Sequence, residues 1–189
     1  MQFDKKTMMS LFIALIMIVS VIGFAISFVE PKQEADYGNY EFVLTSQGWQ
    51  TRINNIKLYF INHPTEVEYI KMDDATKNLL QNNRVLWFTY DPNDTEAQAI
   101  ADALYYAEQA VGTVKNTFVQ RGLINNTGYA LPEVTCLNAT QAVPVLILQS
   151  GNETKTSQQA NCITATAENQ QAVYEIGDRI LYTAIGVMN

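Results

Sequence analysis

Residues 84–118 read RVLWFTYDPNDTEAQAIADALYYAEQAVGTVKNTF, and this stretch decides the fold class. Arg84 to Tyr90 is a near-continuous apolar run, the pattern of a strand covered on both faces. The turn Asp91-Pro92-Asn93-Asp94 follows, and Thr95 with Gln98 has capping-box spacing. Ile100, Leu104, Ala107, Val111, Val114 and Phe118 then recur at spacings of 4 and 3, one apolar stripe along a helix. Arg121 falls in its last turn and Gly122 offers a stop. A buried strand feeding a core-facing helix marks an α/β domain.

Toward the N-terminus, Tyr40–Leu44, Trp49–Ile53 and Ile56–Ile61 read as strands separated by the turn signals Gln47-Gly48 and Asn54-Asn55. They predict an antiparallel meander. Pro64 is placed to open a helix over Thr65–Leu80. Toward the C-terminus, Glu133–Leu137 reads as a short strand and Val143–Leu148 as a buried strand led by Pro144. Ser150-Gly151-Asn152 reads as a turn and Asn161–Ala167 as a further strand. From Gln170 onward Val173, Ile176, Ile180, Leu181, Ala184 and Ile185 line one face of a terminal helix.

Without the leading strands, the order strand–helix–strand–helix–strand–strand–helix resembles the thioredoxin-like fold, most closely over residues 143–187. The resemblance implies a βαβαββα head with an N-terminal antiparallel strand extension and a cis Pro144. That family keeps Cys-x-x-Cys after its first core strand, where this chain has Asn62-His63-Pro64-Thr65. The resemblance therefore implies a redox-silent head. Cys136–Thr140, Asn161–Ile163 and Asp178-Arg179 are also similar to segments of uncharacterised archaeal single-pass membrane proteins, a similarity that carries no activity over to this chain.

Met8–Val29 is 22 residues without a charge, about 33 Å as a helix, and it predicts a transmembrane span. Lys5 and Lys6 precede it while Glu30, Glu34 and Asp36 follow, so residues 1–7 are expected in the cytoplasm and the rest outside. A cleaved signal peptide ending near Ala25 and Ser27 is the rival, although its apolar core is usually only ~7–15 residues. Residues 30–39 read as a tether and 40–189 as one extracytoplasmic domain.

The 189 residues carry a net charge of -7, with 48% hydrophobic and 16% charged residues, which excludes a disordered polyampholyte. An acidic chain also lacks the basic face that nucleic acid requires. Cys136 and Cys162 form an even pair, expected as a structural disulfide. Four N-x-[ST] sequons start at Asn93, Asn125, Asn138 and Asn152, against about two expected by chance.

His63, the single histidine, could serve as a general base, or cap the strand end before Pro64, the simpler reading. Asp91, Asp94 and Glu96 could act as acid/base carboxylates, or cap the following helix. Asp73-Asp74 reads as a solvated helix face and Asp178-Arg179 as surface or local ion pairs. One histidine and two distant cysteines do not make a metal site, and no cofactor motif is present. In an open α/β sheet, sites lie beyond the carboxyl ends of parallel strands. Asn62, His63, Asp91, Asn93 and Pro144 are therefore expected to share one binding patch.

The expectation is a membrane-anchored extracytoplasmic binding or assembly module at the cell membrane, whose partner is another envelope or membrane protein and not nucleic acid. The alternatives are a thiol-disulfide exchanger using Cys136 and Cys162, a hydrolase built on His63 and Asp91, and a subunit of a larger membrane complex.

Overall fold

The computed structural model describes residues 5–27 and 33–188. The chain divides into two units, Met1–Gln33 and Glu34–Asn189. The first contains helix α1 (Lys5–Ser27). Among the described residues no helix is long and apolar enough to cross a membrane. Residues 28 and 29 of the expected span lie outside the described residues. This corrects the transmembrane span over 8–29. The single-pass location, the signal anchor, the cytoplasmic N-terminus and the extracytoplasmic head rested on that span and lose their support with it.

The second unit is a mixed α/β domain with two sheets. The first is an antiparallel meander in the order β1 (Glu34–Tyr37), β2 (Tyr40–Thr45), β3 (Gly48–Ile53), β4 (Ile56–Phe60). Three of its strands lie where alternation places them. The β3–β4 turn is built on Asn54 and Asn55, both at positive φ (50° and 67°), as a two-residue hairpin demands. β1 occupies residues expected to be a tether. Its burial alternates between exposed and half-buried, so its apolar signal is weak.

The expected helix over 65–80 is two helices, α2 (Pro64–Val67) and α3 (Asp74–Asn82). Asp73 divides them: its Oδ1 accepts from the Thr76 amide at 2.7 Å and caps α3. Asp73 is thus a cap and not part of a solvated helix face. Replacing Asp73 with Ala is expected to lower stability by about 1 kcal/mol, read by urea denaturation. A change within error would show that another group caps α3.

The second sheet has the order β6–β5–β7–β9–β8. Its strands are β5 (Val85–Tyr90), β6 (Phe118–Leu123), β7 (Val145–Ser150), β8 (Lys155–Gln159) and β9 (Cys162–Ala167). β5 runs parallel to β6 and β7, β7 runs parallel to β9, and β8 is an antiparallel edge. The helices α4 (Ala97–Lys115) and α5 (Gln170–Ala184) pack on one face. Leu86, Phe88, Leu146, Leu148, Ile163 and Ala165 point into that core. Val145, Ile147 and Cys162 point to the opposite face, where Val134 from the 124–144 segment covers them.

This arrangement corrects the thioredoxin-like βαβαββα order. The expected first core strand, 56–61, pairs with β3 in the meander and contributes nothing to the second sheet. The helix stripe also ends earlier than its spacing implies. Asn116 takes the left-handed conformation (φ 55°) as the cap, and Phe118 opens β6. Gly122 is no helix stop: a Cβ there would lie 2.5 Å from Val134 Cγ2, so the glycine permits the 124–144 segment to lie against β6. The expected strand 133–137 reduces to one bridge, Leu123 with Glu133, and a 3-10 turn at Cys136–Asn138.

Candidate functional site

β4 ends at Phe60, and Asn62 follows in a buried position. Its amide N–H and its side-chain Nδ2 both donate to Asp178 Oδ2, at 2.7 and 3.0 Å. Its carbonyl accepts from the Tyr182 hydroxyl at 2.7 Å. One residue at a strand end therefore holds two residues of α5. Gln171 Nε2 approaches Asn62 Oδ1 at 3.4 Å.

His63 is the N-cap of α2. Its Nδ1 lies 2.8 Å from Thr65 Oγ1 and accepts from the Thr65 amide at 3.4 Å. Its own amide donates to Glu66, which closes a capping box. Those bonds leave Nδ1 as an acceptor and place the ring proton on Nε2, on the side of the Ala35 backbone but outside good hydrogen-bond geometry. The ring is boxed by Trp49 at 4.7 Å and by Phe42 at 5.0 Å. Burial lowers its pKa, with partial opposition from Glu66. This is the geometry of the capping reading: His63 holds a chain reversal.

Asp91 and Asn93 lie together in the loop after β5, where Asp91 Oδ1 accepts from the Asn93 amide at 2.9 Å. Asp94 accepts from the Glu96 amide at 2.9 Å and from the Ser150 amide at 2.8 Å, tying this loop to the end of β7. The Thr95–Gln98 capping box does not form: α4 has no side-chain cap, and Thr95 Oγ1 donates to Ser150 instead. Pro144 lies at the other edge of the sheet. Its carbonyl accepts from the Trp87 amide at 2.9 Å, near the start of β5, whereas Asp91 follows the end of the same parallel strand. The peptide bond before it is trans. The structure thus pairs Asn62 with His63 and Asp91 with Asn93. It leaves Pro144 apart from Asp91 and sets the two pairs at the ends of strands in different sheets.

Cys136 and Cys162 are disulfide-bonded with Cα atoms 5.3 Å apart. Cys162 is buried on β9 and Cys136 is exposed on the 3-10 turn.

The group that stands out chemically is Asp178. It was expected in a surface ion pair with Arg179, but the two side chains diverge, as consecutive helical positions about 100° apart must. Arg179 is buried, and its guanidinium donates to the Ile70 carbonyl at 3.0 Å and to Thr183 Oγ1 at 2.6 Å. Asp178 turns toward Asn62 and lines a cavity of 340 Å³ between α4, α5 and β4. Tyr59, Ile61, Tyr106, Tyr174 and Gly177 line it as well. Space exists there because small residues face each other: a Cβ on Gly177 would lie 3.1 Å from that of Ala103. Tyr59, Ile61 and Tyr106 are each more than two-fifths exposed, an apolar rim of the kind that marks recognition sites.

Burial pushes the Asp178 carboxyl up to about 7, against the hydrogen bonds from Asn62, which favour its charged form. A raised carboxyl pKa means that the folded state binds the proton more tightly than the unfolded chain. Its contribution to stability is complete below about pH 4 and is lost as pH rises to about 7. Asp178→Asn is expected to remove that decline, whose slope is at most about 1.4 kcal/mol per pH unit. Parallel stability–pH curves for the two proteins between those limits would sink the assignment. The pattern signal for Asp178 was its place four residues from both Tyr174 and Tyr182, a charge inside an aromatic face.

No family model matches this chain, and neither the curated proteins nor the solved structures contain a match to it.

Proposed function

We propose that the α/β domain is a binding module whose ligand site is the tyrosine-lined cavity between α4, α5 and β4. The observation that carries this reading is that, among the described residues, one carboxyl stands in a concavity otherwise lined by apolar and aromatic residues and the Gln47 amide. Ligand sites have that composition: mostly apolar lining, with few polar groups that fix orientation. The volume of 340 Å³ sits near the lower end of such sites, so the ligand is small. Titration with phenol, followed by backbone amide resonances, tests the reading. Saturable shifts confined to residues around Tyr106, Tyr174 and Gly177 support it. Absence of saturation, or shifts spread over the surface, would remove it.

Exposure of Cys136 favours a second reading, thiol-disulfide exchange. Its test is incubation of the folded protein with reduced glutathione. A mixed disulfide at Cys136 supports exchange, and a bridge that survives until the domain unfolds is structural.

A further inference from the structure

Resting on the binding reading above, we infer that the ligand is a small organic cation, an aryl- or alkyl-ammonium whose nitrogen sits on Asp178 and whose carbon skeleton lies against the tyrosines. Charge complementarity carries this. Among the described residues Asp178 is the one charged residue lining the cavity, and no lysine, arginine or histidine lines it. The nearest cation in sequence, Arg179, is committed to Ile70 and Thr183. Asn62 donates twice to Oδ2 and the Ile61 backbone also reaches the carboxylate, which with about four lone-pair sites still keeps acceptor capacity. An ammonium group has only donors, and it matches an acceptor that protein donors have not exhausted.

The lining rings add a second, independent preference. Tyr59, Tyr106 and Tyr174 present π systems whose negative faces attract a cation. The field of the whole molecule has the same sign, with a net charge of -7. An anionic ligand would meet a like charge on Asp178, which disfavours it strongly in a half-buried site.

The binding step balances as a proton exchange. Below about pH 7 the Asp178 carboxylic acid and the ligand's ammonium become a carboxylate–ammonium pair and one proton leaves to solvent, whereas above it the carboxylate is already charged and pairs directly. The titratable groups that face Asp178 or share its cavity are Glu66 of α2, Tyr59 of β4, Tyr106 of α4, and Tyr174 and Tyr182 of α5. None of these is a cation that would already hold the carboxylate charged. Burial, with a smaller push from the Glu66 carboxylate, raises its pKa, and an entering ammonium opposes both.

The test titrates the full-length chain with three probes of matched skeleton: phenethylamine, phenethyl alcohol and phenylacetate. At about pH 8, where an ordinary primary amine is still protonated, the amine is expected to bind at least about tenfold more tightly than the alcohol. Phenylacetate is expected to bind more weakly than either. Asp178→Asn is expected to abolish the amine's advantage over the alcohol. If that variant does not fold, wild-type affinity for the amine decides, and about tenfold weakening between about pH 8 and pH 5 is expected. Equal affinity for amine and alcohol, with both shifting cavity resonances, would overturn the cation assignment and leave the binding reading standing. If no probe shifts those resonances, both fall.

Discussion

Truncation of Tyr182 to alanine is expected to lower the free energy of unfolding by about 4 kcal/mol, the range of a large aromatic lost from a core. The side chain is fully buried. Its ring stacks on Phe60 at 4.2 Å and meets the edge of Phe42 at 5.9 Å. Its hydroxyl donates to the Asn62 carbonyl at 2.7 Å. Tyr182 belongs to α5, which packs on the parallel sheet, while Phe42 and Phe60 belong to the meander. The substitution therefore opens a void at the joint between the two sheets' packing, where neither can collapse alone. Tyr182→Phe isolates the polar part. It keeps the rings and removes the bond, and it is expected to cost about 1–2 kcal/mol, because a buried carbonyl loses its donor. Urea denaturation of both variants measures the two terms. A loss below about 1.5 kcal/mol for the alanine variant would show that the rings repack.

The double replacement Cys136→Ala with Cys162→Ala is expected to cost about 3.5 kcal/mol in the chain-entropy account of a bridge spanning 26 positions. The local consequence is as informative as the total. The 124–144 segment contains no strand or helix beyond its 3-10 turn and one bridge, yet it supplies the cover over Val145 and Ile147. Without the bridge, hydrogen exchange at the Val134 amide, which donates to the Leu123 carbonyl at 2.8 Å, should accelerate well before that at the β7–β9 ladder. Equal protection at both places, with a loss under about 1 kcal/mol, would mean that apolar contact alone holds the segment.

The parts of this fold legible in the sequence were those set by short-range pattern. Alternation placed β2, β3 and β4, and an apolar run placed β5 and β7. The 4-and-3 spacing placed α4, but Phe118 continued the stripe by coincidence and concealed β6. β8, with the sequence KTSQQ, was invisible because a polar edge strand carries no apolar signal. Strand partners were not legible either, since pairing depends on contacts across long separations. The thioredoxin-like order failed on that point: Ile56–Phe60 looks like a core strand from its residues, and only its partner β3 shows which sheet it joins. At the candidate site, Pro64 made a capping role for His63 legible at the strand end, but not that it caps α2 with Glu66 closing the box. Asp178 was not legible, because its burial comes from long-range packing and its hydrogen-bond partner Asn62 lies 116 positions away in sequence.

The placement of β1 at the border of the meander governs how the domain responds to mechanical load. Tension arriving through the chain before residue 34 reaches the open end of the β1–β2 hairpin, at the Glu34–Val43 pair. Hydrogen bonds at that end break in succession, like a zipper, and none shares the force with the next. Rupture should therefore occur at low force and stop at the Gly38 turn, leaving β2–β4 and the second sheet intact. Tyr37 leaves with β1, and its ring stands edge-on to His63 at a centroid distance of 6.4 Å. A modest pull would thus wet the imidazole while the rest of the domain stays folded.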